Sequence, residues 1–315
     1  MIELGQFEVW FINGSQTLYG DETLQQVAVN SAEIVQYLNR SGELPLNIVL
    51  KPTAKSADEI SNIFNEANYS PKCVGVIAWM HTFSPSKMWI NGLNNLQLPL
   101  LHLHTQFNRD IPFNTIDMDF MNLNQSAHGD REFAHVLTKM KIRRKTVVGH
   151  WKSALVHHQL HRWMRMVAAR YQMQQMKIVR FGDNMRNVSV TDGDKVAAEM
   201  KFGFSVNTYP VGDLVKTINE VTDKAVDHLM EEYESEYQMA AQLKKQGKNR
   251  HSLVDAARIE IGINHFLLDG GFHAFTNTFE DLHGMKQLPG IASQRLMQKG
   301  FGFGAEGDWK TAGLL

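Results

Sequence analysis

Cysteine occurs once in this chain of 315 residues, at Cys73. No internal disulfide can form, so a disulfide-stapled fold is excluded. Cys73 opens the apolar run CVGVIAW, which predicts a small buried core residue and fits a reducing compartment. Long hydrophobic runs are also missing: nothing approaches the roughly 20 apolar residues of a membrane span. The amino end, MIELGQFEVWFING, is acidic and its apolar part is too short for a signal peptide. Charge of one sign is not in excess, with 32 Lys and Arg against 33 Asp and Glu for a net charge of −1. That balance gives no electrostatic reason to expect nucleic acid or an anionic membrane as partner. The expectation is a cytoplasmic protein with neither. The one basic run, Lys244, Lys245, Lys248, Arg250 and His251, is broken by Gly247 and reads as an exposed turn between helices. Internal repeats, low-complexity tracts and long Pro/Ser linkers are absent. So are G-x-S-x-G, the P-loop and Cys-x-x-Cys, which weighs against a serine hydrolase, a P-loop NTPase and a zinc ribbon.

What is present is an enzyme-sized globular composition, 43% hydrophobic and 21% charged, enough for roughly two domains with real cores. Short apolar runs alternate with helix-period segments in the first half. Phe7 to Ile12, Asn47 to Leu50, Cys73 to Trp79, Leu98 to His104 and Thr146 to His150 read as buried strands of a parallel sheet. A helix starting near Asp21 turns Leu24, Val27, Ile34, Val35 and Leu38 inward, and Ser56 with Glu59 forms a capping box for another. A long helix over Lys152 to Gln175 closes a Rossmann-like α/β domain, 1–175. A second α/β domain, 176–315, is predicted with strands at Lys177 to Phe181, Ser205 to Tyr209 and His273 to Phe279. Its helices are expected from about Asp192, over Asp223 to Lys245 and over Ser252 to Leu268. With no linker between them, the two domains are expected to be packed together.

Open parallel sheets bind ligands beyond the carboxyl ends of their strands. The loops there are rich in amides, hydroxyls and imidazoles: Asn13 to Gly20, Met80 to Pro85, Thr105 to Asn108 and Gly182 to Arg186. Such groups both donate and accept, which suits a polyhydroxylated ligand, although turn and capping roles explain many of them equally. Gly302 to Gly307 matches G-x-G-x-x-G, but a helical stretch precedes it and no acid follows at the required distance, so a dinucleotide site is not expected. His157, His158 and His161 have metal-compatible helical spacing without H-E-x-x-H and read as a solvated or partner-facing helix surface. His102 and His104 share one strand face and read as core or supporting histidines. Glu306, flanked by glycines just ahead of a last helix, is either a cap at a helix amino end or one member of a site.

Several longer segments resemble L-arabinose isomerase. They include Val9-Trp10-Phe11 with Gly14-Ser15-Gln16 and Leu18-Tyr19-Gly20, then His81 to Pro85, His104 to Asn108, Asp117 to Gln125 and Arg180 to Arg186. Phe202 to Asn207, Gly271 to Phe275, Phe279 to Gly284 and Glu306 to Ala312 continue the similarity to the end. The resemblance implies two packed α/β domains of the L-fucose/L-arabinose isomerase type, truncated before a third, C-terminal domain.

It further implies an intramolecular oxidoreductase of carbohydrate catabolism that interconverts L-arabinose and L-ribulose through a metal-stabilised enediol, with D-galactose accepted by some members. The implied cofactor is Mn²⁺, held by two glutamates and two histidines, of which only Glu306 has a counterpart here. Glu306 would be metal ligand and catalytic acid/base. Met185 and Phe279 would wall the sugar pocket. Gln16, Leu18, Tyr19, Gln125 and His128 would reach a substrate on a neighbouring subunit of a homohexamer built from trimers. With one ligand of four, the chain is expected to be inactive alone and to expose an apolar surface where a third domain would dock. The alternative is a non-catalytic sugar-binding protein or an assembly partner of an intact enzyme.

Overall fold

A computed structural model describes residues 4–314. The chain divides into two compact units between Tyr171 and Gln172. In the first, the strands are β1 (Glu8–Asn13), β2 (Asn47–Leu50), β3 (Cys73–Trp79), β4 (Leu100–His104) and β5 (Arg144–Val148). The helices between and after them are α1 (Gly20–Arg40), α2 (Ala57–Tyr69), α3 (Ile90–Asn95), α4 (Met118–Leu123), α5 (Ser126–Lys139) and α6 (Ala154–Met173). All strands are parallel, in the order β2-β1-β3-β4-β5.

β1 and β3 read as unbroken apolar runs because both faces of the sheet are covered. Val9 and Phe11 pack with Ile34 and Leu38 of α1 and Leu160 and Met164 of α6. Trp10 and Ile12 face the other way, toward Ile60 and Phe64 of α2 and Phe133 of α5. α2 starts where the capping box places it: Ser56 Oγ accepts from the Glu59 N–H at 3.2 Å. The reciprocal carboxylate reaches one residue further back, accepting from the Lys55 N–H at 2.6 Å. The edge strand β5 lies two residues earlier than the apolar run Thr146 to His150 suggests, since of its residues only Val147 is buried. Cys73 is fully buried, and desolvation pushes its thiol up to about 12.

The second unit holds β6 (Lys177–Phe181), α7 (Lys195–Phe202), β7 (Ser205–Tyr209), α8 (Val211–Asn219), α9 (Asp223–Glu236) and α10 (Arg250–Gly270). β8 (Ala274–Asn277), α11 (Gly290–Gln298), β9 (Gly302–Ala305) and α12 (Trp309–Leu314) complete it. Its parallel sheet runs β7-β6-β8-β9. One face packs Val179, Phe181 and Phe275 against α8, α10 and α11; the other packs Ile178 and Ala274 against Trp309 and Ala312 of α12. α8 and β9 add to the expected elements: α8 carries the helical spacing of Val211, Leu214 and Ile218, whereas the glycine-rich β9 has no apolar alternation. The helix expected over Asp223 to Lys245 stops at Glu236, where Tyr237 takes extended backbone and the chain folds back so that Met239 and Leu243 pack on the α9–α10 cluster. Among the described residues, no helix is long and apolar enough to cross a membrane.

The helices of this unit are joined by a buried ion cluster. Arg295 of α11, 4% exposed, bonds Glu260 of α10 at 3.1 Å, Glu236 of α9 at 2.7 Å, the Tyr237 hydroxyl at 2.8 Å, and Glu232. Glu260 is itself 1% exposed and also takes Tyr233 Oη at 2.6 Å and Lys299 Nζ at 3.0 Å. Removing one partner strands a buried charge, which costs about 3–5 kcal/mol, whereas removing the set together costs far less. Arg295→Met is therefore expected to lower unfolding free energy in urea by about that amount, with a second change, Glu260→Met, recovering part of it. An Arg295→Met chain as stable as the parent would contradict this.

Candidate functional site

In the first unit the chain order reverses between β1 and β3, and both strands end there in polar loops. Crevices at such reversals are where open α/β sheets take ligands. Asn13 Nδ2 donates to Ser31 Oγ at 2.7 Å, Thr82 Oγ1 to Ser15 Oγ at 2.8 Å, and Trp89 Nε1 to Ser84 Oγ at 3.0 Å, all buried. On this floor Gln16 Nε2 donates to the Phe83 carbonyl at 3.3 Å. The His128 ring stacks on Phe83 with centroids 4.5 Å apart, and His128 Nδ1 meets Gln125 Oε1 at 3.4 Å. The structure thus gathers Gln16, Gln125 and His128 around Phe83. Leu18, 82% exposed, and half-buried Tyr19 lie in the helical turn just after Gln16.

Two supporting histidines beneath this edge are held neutral. His81 is fully buried and stacked on Trp79 at 4.6 Å. Asn30 Oδ1 accepts from Gln26, so Asn30 Nδ2 donates to His81 Nε2 at 2.8 Å. Burial lowers the His81 pKa from 6.5 to about 4. His102 lies 2.7 Å from Asp130, a fully buried carboxylate whose pKa desolvation raises, and His104 approaches the same carboxylate at 3.6 Å. His102 and His104 are therefore supports for α5, as their shared strand face suggested. His157 departs from the solvated or partner-facing helix surface expected of it: it is 5% exposed, bonding Glu43 at 2.6 Å and the Trp151 carbonyl at 2.9 Å within its own unit. Helical spacing alone gave no signal of that burial, because its partner Glu43 is remote in sequence.

In the second unit the reversal falls between β6 and β8. Met185 follows β6, Phe279 follows β8 and Glu306 follows β9, so the three sit beyond the carboxyl ends of three adjacent strands. Met185 is half-buried and Phe279 is 43% exposed, so neither is a core side chain. The Met185 N–H donates to the Glu306 carbonyl at 3.0 Å, and the Gly307 N–H to the Asn277 carbonyl at 3.1 Å. Arg180, 9% exposed, fixes the loop after β6 through Asn184 at 2.7 Å and Asp183 at 2.9 Å. Arg186 ties that loop to the next through Glu280 at 2.8 Å.

The glycines of the G-x-G-x-x-G match serve packing. A Cβ on Gly302 would lie 2.1 Å from the Ala312 carbonyl oxygen, and one on Gly304 would lie 2.2 Å from that of Asp308. The strand β9 therefore lies directly on the backbone of α12. Gly307 has φ +79°, and a Cβ there would lie 2.4 Å from Asn184 Cα. Glu306 has φ +63°, a left-handed conformation costly for a residue with a Cβ. The residue is half-buried just beyond the end of the edge strand β9. Among the described residues, no three His, Cys, Asp or Glu side chains are grouped to hold a metal ion.

Comparison with known proteins covers both units. Residues 3–175 match the L-arabinose isomerase N-terminal domain, and residues 177–315 the L-arabinose isomerase central domain. A curated L-arabinose isomerase of Herpetosiphon aurantiacus is 55% identical over 315 residues, and one of Koribacter versatilis is 56% identical over the same length. In both cases the match covers 100% of this chain and 63% of the relative. The L-arabinose isomerase of Escherichia coli is 55% identical over 309 residues, 98% of this chain and 62% of the relative.

Two outcomes follow from the geometry. Gly307→Ala combines a positive φ with a backbone clash and is expected to cost more than about 2 kcal/mol, while Glu306→Gly relieves strain and leaves stability unchanged or raised by up to about 1 kcal/mol. Urea unfolding of both variants measures this; equal destabilisation by the two would contradict it. The second outcome concerns pH. His81 binds its proton more weakly folded than unfolded, so its stabilisation is complete above 6.5 and is lost as pH falls toward 4. That loss is about 3 kcal/mol for a shift from 6.5 to about 4. The urea midpoint of His81→Gln is expected to fall less steeply over this window than that of the parent; parallel curves would refute the assignment.

Proposed function

The chain belongs to the L-arabinose isomerase family, and on that footing we propose that it is the amino-terminal and central part of an enzyme interconverting L-arabinose and L-ribulose. It spans 63% of the length of the curated relatives it matches. The observation that carries the reading is the convergence of Met185, Phe279 and Glu306 on neighbouring strand ends of one sheet. Exchanging an aldose for a ketose removes a proton from C2 and returns it to C1 through an enediol, work suited to a positioned carboxylate. Glu306 offers one on a backbone fixed by the Met185 and Gly307 hydrogen bonds. Met185 and Phe279 supply apolar surface for the carbon-bound faces of the sugar.

Gln16, Leu18, Tyr19, Gln125 and His128 are assigned to a substrate bound by a neighbouring copy in a trimer-based hexamer. The exposure of Leu18 and His128 supports that reach.

The residues present do not fit a complete manganese site. A cation that does chemistry takes several protein donors, and among the described residues Glu306 belongs to no such group. Glu306 is therefore assigned the proton-transfer role, and a share in binding Mn²⁺ only where donors from outside these 315 residues join it.

The purified chain with Mn²⁺ and L-arabinose is expected to form no L-ribulose. Supplying the remaining portion of a curated relative is expected to yield turnover, which Glu306→Gln lowers by about 10²–10⁴-fold. Turnover by the chain alone, or restored turnover indifferent to Glu306→Gln, would overturn the proposal. Calorimetric binding of L-arabinose to the chain alone without metal would favour a sugar-binding protein instead.

A further inference from the structure

A cavity of about 520 Å³ lies in the first unit, beyond the ends of β4 and β5, and none of the residues assigned a role in the isomerase chemistry or its sugar pocket lines it. Its walls are Glu33 of α1, Phe107 and Arg109 after β4, and His150, Trp151, Lys152 and Ser153 ahead of α6. The aromatic side is rigid. Phe107 and His150 each stack on Trp151, at 5.9 and 5.4 Å, and Trp151 Nε1 donates to the Phe107 carbonyl at 2.9 Å. Both His150 nitrogens are engaged: Nδ1 accepts from the Lys152 N–H at 3.2 Å and Nε2 meets the Phe107 carbonyl at 3.3 Å. The ring is thus fixed as an aromatic wall.

The charged groups are different. Lys152 is held over the Trp151 ring, 4.3 Å from its centre, and 3.7 Å from Glu33. Arg109 is exposed and has no ion-pair partner among the described residues. Ser153 caps α6 by accepting from the Val156 N–H at 3.3 Å, which leaves the N–H groups of Ala154 and Leu155 without intrahelical partners. The first turn of that helix carries no acidic residue to offset its positive end.

We propose that this cavity binds a small hydroxylated phosphomonoester, of the sugar-phosphate class. A phosphate monoester carries close to two negative charges at neutral pH. Arg109 and Lys152 line the cavity with the residues just ahead of α6, and this basic lining with a helix amino end favours a phosphate over a neutral ligand. Glu33, which pairs with Lys152 at 3.7 Å, accepts from the ester's hydroxyl groups, so the sugar end lies toward α1 with the phosphate shared between Lys152 and Arg109. Trp151, 1% exposed, offers no face for a nucleobase, so a nucleotide is not the occupant. The site is independent of the proposed isomerase chemistry, and its test reads binding only.

The experiment is calorimetric titration of the 315-residue chain with ribose 5-phosphate, inorganic phosphate and D-ribose. Ribose 5-phosphate is expected to saturate the chain about 10-fold more tightly than inorganic phosphate, and D-ribose not to compete. Arg109→Gln and Lys152→Gln, both surface changes that leave the urea midpoint unmoved, are each expected to weaken ribose 5-phosphate by about 10-fold or more. Glu33→Gln is expected to strengthen inorganic phosphate while erasing the preference for the ester, a pair of changes that a merely structural Glu33 would not produce. Absence of saturation below about 10 mM, equal binding by the Arg109 and Lys152 variants, or effective competition by D-ribose would each overturn the proposal.

Discussion

Backbone contact between β9 and α12 is the constraint on which the second unit's functional edge depends. Two glycines, Gly302 and Gly304, let the strand lie on the helix with no side chain between them. The turn joining the two must then be tight. It closes through Gly307 at positive φ against Asn184, and it forces Glu306 into a left-handed conformation. A side chain held in a strained backbone keeps its direction, because the surrounding packing over-determines it. Glu306 is consequently placed by its surroundings: the Trp309 and Ala312 side chains under the sheet, the Met185 N–H that donates to its carbonyl, and the loop after β6 against which Gly307 packs.

This explains why the same six residues mislead when read as a motif. In a dinucleotide fingerprint the glycines open a turn between a strand and a helix so that a pyrophosphate can approach. Here the first four residues, Gly302–Ala305, are themselves the strand, and their glycines admit a helix. A strand so poor in side chains carries no apolar alternation, so β9 left no trace in the pattern. The first unit is the opposite case. β1 and β3 are buried on both faces, and their apolar runs coincide with the strands nearly residue for residue. β5 shows the intermediate condition, an edge strand with one buried residue whose position the sequence misplaces by two.

Helix limits were legible where a cap or a core face set them, as at Ser56, and illegible where long-range contacts did. The stretch after Glu236 is rich in residues that favour helix, yet packing of Met239 and Leu243 overrides that preference. Among the site residues, the clustering of Gln16, Gln125 and His128 required the third dimension, since the strand order that joins the β1 and β3 loops is not written in any one loop. Glu306 was legible only through family resemblance, and its spacing alone suited a helix cap equally well.

The two sheet edges differ in a way that bears on what each can recognise. The first unit meets its crevice with hydroxyls, amides and His81, which burial keeps uncharged. Such groups exchange hydrogen bonds with a polyol without holding an ion. The second unit meets its edge with Arg180, Asp183, Arg186, Glu280 and Glu306, a charged set in which the first four are tied to one another in pairs. Glu306 alone has no ion-pair partner there among the described residues. The first unit's edge at β1 and β3 thus presents uncharged groups, and the second unit's edge a charged set.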